Sequence, residues 1–358
     1  MIRGLKEMGI TTPTKIQEEA IPILTEGDIN FVGQAQTGTG KTAAFGLPLL
    51  AQIDPGKPVI QAVILAPTRE LSQQIAKQLF KFTKYTEKIF TEAVFGGEKI
   101  DIQIGRLKRP TQIVVATPGR LKDLIERKAI DISQITTLVL DEADEMLSMG
   151  FKNELTAILD ATSGNRKVWL FSATMPKELN EIINTYAGEN ARRIQIGKAD
   201  AVNSDISHEF IARDDNAKAD TLDYFLRSMG KQRGIIFTKT KAAARKLAGL
   251  LNAKDHQVGL LEGDMLQKER DKVMRAFKNK KMRLLVSTDV AARGIDVDNL
   301  AFVVHYQLPD QTDYYTHRSG RTARAGKSGI SLALVNTYEL KQLKNFEREL
   351  GIKFTQVR

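Results

Sequence analysis

Ala35-Gln36-Thr37-Gly38-Thr39-Gly40-Lys41-Thr42 follows an extended apolar segment and leads into a second apolar stretch. A loop of this composition turns backbone N–H groups toward a bound anion, while its lysine neutralises terminal phosphate charge and its last threonine ligates Mg²⁺. Gly38 and Gly40 permit a positive φ and a close approach of backbone to ligand. The alternative is an ordinary Gly/Thr-rich turn, because Ala35 stands where the phosphate-loop pattern has its first glycine. We interpret all eight residues as a nucleotide-binding loop between a strand and a helix.

Short and nearly continuous apolar runs recur along the chain, with amphipathic stretches between them. Such runs are typical of strands covered on both faces, and therefore of a parallel sheet with helices on either side. The runs that we predict as strands are 62–65, 113–116, 138–140, 168–171, 235–237, 257–261, 284–286, 301–304 and 332–335.

A small and polar segment at 196–205 shows neither helical nor alternating periodicity, and the strand–helix alternation starts again after it. We expect a flexible linker there. The predicted fold class is α/β, with RecA-like domains at 1–200 and 207–358 joined by a linker at 201–206. Each domain is expected to contain a mostly parallel sheet with helices on both faces. Pro48 is expected to end or kink the helix that follows the phosphate loop.

Composition limits the classes of function. The 358 residues carry a formal net charge of +10, which favours a polyanionic partner. Charge alone does not distinguish a nucleic-acid-binding protein from one with an ordinary basic surface. The absence of cysteine excludes disulfides and thiolate metal sites or nucleophiles. There is no apolar run long enough to span a bilayer and no signal peptide at Met1, so we expect a cytoplasmic protein without membrane contact.

The acidic tetrad Asp141-Glu142-Ala143-Asp144 closes the apolar run at 138–140. A carboxylate at the carboxyl end of a strand, beside a phosphate loop, is where a nucleotide hydrolase needs a Mg²⁺ ligand, and an adjacent glutamate orients or deprotonates water. We therefore assign Asp141, with Thr42, to the metal and Glu142 to the water. Acidic residues after a strand also commonly cap a helix, which is the alternative function of the tetrad.

His317, Arg321 and Arg324 recur at i, i+4 and i+7, which is one face of a helix if the segment is helical. Arginines presented to a bound triphosphate stabilise the charge that develops during phosphoryl transfer, and Arg321 and Arg324 are candidates for this catalytic role beside Lys41. A solvated basic face is the alternative.

Further segments have the composition of loops at strand ends, rich in hydroxyl groups and backbone donors. They are 67–70, 96–97, 117–120, 238–240 and 288–289. Pro67 and Thr68 belong to the first. Loops of this kind can follow a polynucleotide backbone, although each alone is usually a turn or a cap. No aromatic-rich stacking platform accompanies them, so we expect weak sequence selectivity.

The order of these motifs identifies the chain as a member of the DEAD-box ATP-dependent RNA helicases, proteins of superfamily 2 with two RecA-like domains. The resemblance covers essentially the whole chain, and it is greatest with the bacterial cold-shock-associated members. It is carried by motifs at 13–17, 35–42, 67–71, 96–97, 117–120, 141–144, 172–174, 291–296 and 317–326.

The resemblance implies an RNA-stimulated ATPase that uses ATP and Mg²⁺ and unwinds short RNA duplexes locally, without processive movement. It implies that Gln17 reads the adenine edge and that Gly294, Asp296, Arg321 and Arg324 meet ATP from the second domain. Ser172 and Thr174 would hydrogen-bond back to the acidic tetrad and couple hydrolysis to strand separation, with Asp144 as a further coupling residue, and His317 would contact the tetrad side of the cleft. The residues implied to lie along RNA are Arg69, Gly97, Thr117, Arg120, Thr238, Gly263, Arg270 and Thr288. RNA-degradation or ribosome-assembly proteins are candidate partners.

The chain departs from the family pattern at three places. It lacks the aromatic residue that family members place upstream of Gln17, Glu262 stands where many have histidine, and Ala323 replaces a frequent glycine. Two other functions use similar residues. An RNA clamp gated by ATP would differ by slow product release, while a kinase or a DNA-directed motor would share the phosphate loop.

Overall fold

The computed structural model describes residues 1–36, 38–162, 164, 166–196, 205–292, 300–323 and 328–357, without the side chain of Val290. The chain divides into two compact units, Met1–Ala199 and Asp200–Arg358. Most of the linker expected at 201–206 lies outside the described residues, so the linker and the domain limits stay predictions. Within the described part of the chain, no helix is long and apolar enough to cross a bilayer.

Unit 1 is a parallel sheet with helices between successive strands. Its strands are β1 (Phe31–Gln34), β2 (Ala62–Leu65), β3 (Thr91–Val94), β4 (Ile113–Ala116), β5 (Thr137–Asp141), β6 (Lys167–Ser172) and β7 (Arg192–Gln195). Its helices are α1 (Ile2–Glu7), α2 (Lys15–Glu26), α3 (Lys41–Gln52), α4 (Arg69–Phe82), α5 (Ile100–Leu107), α6 (Pro118–Glu126), α7 (Ala143–Ser148), α8 (Lys152–Ala161) and α9 (Lys177–Tyr186). The strand order is β3-β4-β2-β5-β6-β1-β7.

Unit 2 repeats this plan. Its strands are β8 (Ile206–Ala212), β9 (Gly234–Thr238), β10 (Val258–Leu261), β11 (Leu284–Thr288), β12 (Phe302–His305), β13 (Gly329–Val335) and β14 (Thr355–Gln356). Its helices are α10 (Lys218–Ser228), α11 (Lys241–Ala253), α12 (Gln267–Lys278), α13 (Asp289–Ala292), α14 (Thr312–Ser319) and α15 (Leu340–Leu350). The strand order is β10-β11-β9-β12-β13-β8-β14, and every pairing between these strands is parallel.

Both faces of each sheet are covered, which explains the continuous apolar runs. In β2, Val63 and Leu65 belong to one buried cluster, whereas Ala62 and Ile64 belong to another on the opposite face. Successive side chains of a strand point to opposite faces, so a strand between two helical layers needs apolar residues at every position. The predicted fold class, two RecA-like α/β units, is confirmed.

The helix was expected to end or kink at Pro48, and the first alternative is wrong, because α3 continues through the proline to Gln52. Proline lacks the N–H that a helix interior uses, and this costs stability. Leu49 and Leu50, beyond the proline, are both buried in the core of unit 1. We attribute the continuation of the helix to this burial.

Candidate nucleotide-binding site and strand-end loops

The carboxyl ends of parallel strands meet at one edge of a sheet, and in unit 1 the candidate residues divide that edge into two halves. The phosphate loop, the segment 172–174 and the acidic tetrad follow β1, β6 and β5, which are neighbours. The segments 67–70, 96–97 and 117–120 follow β2, β3 and β4, which are also neighbours. The sheet order therefore places the predicted nucleotide residues beside, and separate from, the predicted nucleic-acid residues of this unit.

A hydrogen bond from Lys41 connects the two ends of the phosphate loop. Its Nζ donates to the carbonyl oxygen of Ala35 at 2.8 Å, and the side chain is only 6% exposed. Ala35 in turn donates its N–H to the carbonyl of Ser172. An ammonium group has three N–H donors, so Lys41 keeps donors for an anion while it spans the loop. Thr37 lies outside the described residues.

Gly40 allows the loop to pass close to Gln17. It has a φ of 92° and caps α3, and a Cβ built on it lies 2.3 Å from Nε2 of Gln17. Nε2 donates to the carbonyl of Gly40 at 3.0 Å, while Oε1 accepts the N–H of Thr14 at 3.0 Å. Thr14 also donates its hydroxyl to the carbonyl of Thr39. The start of α2 is therefore bonded directly to the phosphate loop.

Asp141 ends β5 as a buried carboxylate, 3% exposed. Burial raises its pKa to about 7, against an opposing effect of the Lys41 charge. Its Oδ1 accepts the N–H of Glu142, and Glu142 has a φ of 51°, in the left-handed region. Among the described residues no three His, Asp or Glu side chains form a metal-binding group. Mg²⁺ commonly takes one or two protein oxygens and several from phosphate and water, and the Asp141 carboxylate with the Thr42 hydroxyl fits that requirement.

Burial of Asp141 predicts a pH-dependent stability of unit 1. The ordinary pKa of 3.8 applies to the unfolded chain, so between about pH 4 and 7 the folded state binds the extra proton. The stabilising contribution of Asp141 to the free energy of unfolding is thus fully present below about pH 4 and is lost as the pH rises through about 7. In Asp141→Asn this loss is absent, so the stability gained by the variant should grow with pH. Urea unfolding followed by fluorescence of the buried Trp169 measures it; parallel pH trends for the two proteins would contradict the assignment.

Asp144 is tied to the end of β6 by several hydrogen bonds. The N–H and Oγ1 of Thr174 donate to Oδ2 of Asp144 at 2.8 and 2.9 Å. The N–H of Asp144 donates to Oγ of Ser172, whose hydroxyl donates to the carbonyl of Thr174. The structure therefore brings together the three residues of unit 1 that the resemblance assigned to coupling.

Some residues of the strand-end loops at 67–70, 96–97 and 117–120 stabilise the fold of unit 1. Thr68 caps α4 by accepting the N–H of Leu71, and Pro67 is buried. The guanidinium of Arg69 lies 4.7 Å from the ring centre of Phe95. Thr117 caps α6 without a side-chain bond.

Arg120 combines one satisfied and one unsatisfied nitrogen. Its Nη2 donates to the carbonyl of Glu98 at 3.0 Å, whereas Nη1 is buried without a hydrogen-bond partner. Gly97, before Glu98, has a φ of 85°. A buried donor without an acceptor costs free energy, and an anionic ligand at this loop would remove that cost.

In unit 2 the predicted nucleic-acid residues also follow neighbouring strands. Thr238 and Thr288 end β9 and β11, and Gly263 follows β10. These strands are adjacent in the order β10-β11-β9, so the three positions form a row along one sheet edge. Arg270, on α12, donates to the carbonyl of Ala291 at 2.6 Å.

The condition for a shared helical face of His317 and Arg321 is not met. Helix α14 ends at Ser319 with Gly320 as its C-cap, so His317 is helical while Arg321 lies in the turn that follows. Gly320 has no Cβ, and glycine is frequent where a helix stops. Arg324, Gly294 and Asp296 lie outside the described residues.

The sequence interpretation gave no role to Arg318, which the structure places at the centre of unit 2. It is 2% exposed, and its guanidinium forms two hydrogen bonds with the carboxylate of Asp289, at 2.5 and 2.7 Å. It also donates to the carbonyl of Gln307 at 2.9 Å. Asp289 follows Thr288 and Arg318 follows His317, so this pair of a buried arginine and a half-buried aspartate joins a predicted RNA loop to a predicted ATP-side helix. Each of the two residues belongs to a polar motif of the sequence, at 288–289 and at 317–326. The two motifs are far apart along the chain, so the sequence does not reveal that they are in contact.

Known proteins resemble this chain over both units. The family described as DEAD/DEAH box helicase matches residues 14–182, and the helicase conserved C-terminal domain matches residues 217–326. The chain is 40% identical to ATP-dependent RNA helicase CshA of Limosilactobacillus reuteri, over 100% of this chain and 70% of that protein. It is 39% identical to DEAD-box ATP-dependent RNA helicase CshA of Bacillus cereus, over 97% and 66%.

A solved structure of S. cerevisiae Dbp5 bound to RNA and ADP BeF3 has a TM-score of 0.90 and 31% identity, covering 99% of this chain and 92% of that chain. The expected likeness to bacterial members is confirmed by the CshA proteins, of whose length this chain spans about two thirds. With both family domains matched in order, the chain belongs to the DEAD/DEAH box helicases.

Proposed function

We propose that this chain is the core of an ATP-dependent RNA helicase whose RNA-stimulated ATP hydrolysis drives local, non-processive unwinding of short duplexes. The observation that carries the proposal is the division of one sheet edge in unit 1. Phosphate loop and acidic tetrad occupy one half, the predicted RNA loops occupy the other, and β5 and β2 at the boundary are paired strands. Family membership and the names of the relatives support it.

The free hydrogen-bonding groups of Gln17 fit adenine. An amide side chain offers two N–H donors and two acceptor positions on its oxygen, and Gln17 uses one of each on Gly40 and Thr14. Within the described part of the chain, one donor and one acceptor position of Gln17 are left. Adenine presents N7 as an acceptor and N6 as a donor, whereas guanine presents acceptors at both N7 and O6. The remaining groups of Gln17 therefore complement adenine and would face a second acceptor on guanine.

Hydrolysis is assigned to residues around the phosphate loop. Lys41 holds terminal phosphate charge, and Glu142 orients the attacking water and takes its proton. Thr42 and Asp141 would hold a Mg²⁺ ion, which would supply charge neutralisation during phosphoryl transfer. Cation binding favours the ionised form of Asp141, which burial otherwise disfavours.

RNA is assigned to the strand-end loops through its backbone. Their hydroxyl groups, arginines and exposed glycine amides suit phosphate and sugar oxygens, which carry no sequence information. Choice of RNA over DNA requires contacts to the 2′-hydroxyl. We place the protein in the cytoplasm, with RNA-degradation or ribosome-assembly proteins as candidate partners.

Steady-state ATP hydrolysis with and without single-stranded RNA tests the proposal, with DNA of the same sequence as control. We expect stimulation by RNA alone. A strand-displacement assay with a short duplex and a long duplex then separates local from processive unwinding. Hydrolysis that ignores RNA would refute the proposed function.

Gln17 provides a prediction on nucleotide choice. Gln17→Ala should abolish the preference for ATP over GTP, which we expect to be at least tenfold in the wild type, because a matched donor–acceptor pair contributes about 1–3 kcal/mol of discrimination. The measurement is kcat/KM for both nucleotides. Gln17→Glu is the matched control, since glutamate keeps the acceptors but loses both donors. We expect it to lower kcat/KM for ATP as well as for GTP. An unchanged ATP/GTP ratio in Gln17→Ala would remove Gln17 from base recognition.

A further inference from the structure

Helix α12 and the turn after it concentrate the positive charge of this protein. Residues 267–283 contain eight Lys or Arg against two Asp or Glu, a formal charge of +6, while the whole chain carries +10. Less than a twentieth of the chain therefore carries more than half of its net charge. An exposed concentration of positive charge attracts polyanionic partners.

The fold supplies little counter-charge to the outer face of α12. Lys268, Lys272 and Arg275 are exposed and lie within about 60° of each other around the helix, since successive residues turn by 100°. Met274 and Phe277, on the other side, are buried in the core of unit 2. The basic side chains thus point away from the sheet, in a row with about 6 and 4.5 Å of axial spacing.

Several other basic side chains of unit 2 are paired with acids. Lys241 bonds with Asp264, Arg245 bonds with Glu262 at 2.7 Å, and Lys254 bonds with Asp220 at 2.9 Å. By contrast, within the described part of the chain no ion pair is found for a set of four lysines along α12 and its following turn. These are Lys268, Lys272, Lys280 and Lys281.

The sheet order places this face at the end of the predicted RNA row. Thr238, Thr288 and Gly263 follow β9, β11 and β10 in that spatial order, and β10 is the edge strand. Helix α12 begins six residues after β10 ends, and it packs against that strand. A polynucleotide that follows the row therefore leaves the sheet where the basic face begins.

We propose that the outer face of α12, formed by Lys268, Lys272 and Arg275, binds the phosphate backbone of RNA that extends past the strand-end loops of unit 2. The proposal rests on the proposed function and adds to it a second, purely electrostatic contact. Long lysine side chains reach successive phosphates without fixed geometry, so this face raises affinity without sequence selectivity. It favours RNA with a single-stranded extension over RNA just long enough for the loops.

The test compares two double variants that remove the same charge from different helices of unit 2. Lys268→Gln/Lys272→Gln changes the basic face. Lys341→Gln/Lys344→Gln is the matched control, because both lysines are exposed on α15 and far along the chain from the predicted RNA loops. Binding of oligouridylate of about 6 nucleotides and of about 20 nucleotides is followed by fluorescence anisotropy across a salt series.

We expect the α12 variant to weaken binding of the long oligonucleotide by about 5- to 25-fold near 0.1 M salt, because each single-strand phosphate contact contributes about 0.7 to the slope of log K against log salt. The slope should fall by about 1.4 for the two contacts. Binding of the short oligonucleotide, and ATP hydrolysis at a saturating concentration of it, should match the wild type. The α15 variant should match the wild type with both oligonucleotides.

Equal losses in both variants, or an unchanged affinity of the α12 variant for the long oligonucleotide, would overturn the proposal. If that affinity is unchanged while binding to polyglutamate is lost, the face belongs to an acidic protein and not to RNA. These outcomes leave the proposed function intact, since that function fails if RNA does not stimulate ATP hydrolysis by the wild type.

Discussion

Glu142→Gln is expected to lower RNA-stimulated ATP hydrolysis by about a thousandfold, because a positioned general base contributes about 10²–10⁴ in rate. The amide has nearly the same shape as the carboxylate but cannot take a proton from water. Glu142 sits between the buried Asp141 and helix α7 with a left-handed φ of 51°. Backbone in this region is uncommon outside glycine, and where it occurs it often serves to aim a side chain at a functional site.

The measurement is the turnover number at saturating ATP and RNA, together with the dissociation constant of ATP. ATP binding should change by only a few-fold, since Lys41, Gln17 and the loop amides are intact. Glu189→Gln is the matched control, an exposed glutamate of the same unit that is remote in sequence from the tetrad. Turnover of Glu142→Gln within a few-fold of the wild type would show that another residue activates the water.

Arg318→Ala is expected to destabilise unit 2 by about 1–3 kcal/mol, because it leaves the half-buried Asp289 carboxylate, 22% exposed, without its partner. Asp289 would lose both hydrogen bonds to the guanidinium, and the carbonyl of Gln307 would lose a donor. The double variant Arg318→Met/Asp289→Leu should lose less stability than Arg318→Ala, since two apolar groups leave no buried charge.

The chain contains its own control for this experiment. Its single tryptophan, Trp169, lies in β6 of unit 1, so tryptophan fluorescence reports on unit 1 alone. Far-ultraviolet circular dichroism reports on both units. In urea, Arg318→Ala should shift part of the dichroism transition to lower concentration and leave the fluorescence transition in place. A double variant as unstable as Arg318→Ala would contradict the ion-pair explanation, because the loss would then arise from packing.

The local elements of the fold were largely predictable. Strands with continuous apolar runs, such as β2 and β4, were predicted because burial on both faces requires apolar residues at every position. Strands β3 and β7 lie at the edges of their sheet, and β7 is largely exposed, so its residues Arg192–Gln195 lack an apolar signal. The continuation of the helix beyond Pro48 was not predicted for a related reason. The residues after the proline are buried by tertiary packing, which the local sequence does not show.

The candidate site was predictable wherever one short motif carries the chemistry. The phosphate loop and the tetrad are contiguous segments whose residue types suit phosphate and metal chemistry, so the sequence alone was enough to predict them. The division of the sheet edge in unit 1 came from strand order, which depends on how helices cross over the sheet. The bond between Asp144 and Thr174 spans 30 residues, and the pair of Asp289 and Arg318 spans 29. These contacts depend on the tertiary structure, because a parallel sheet brings strand ends that are distant in sequence together at one edge.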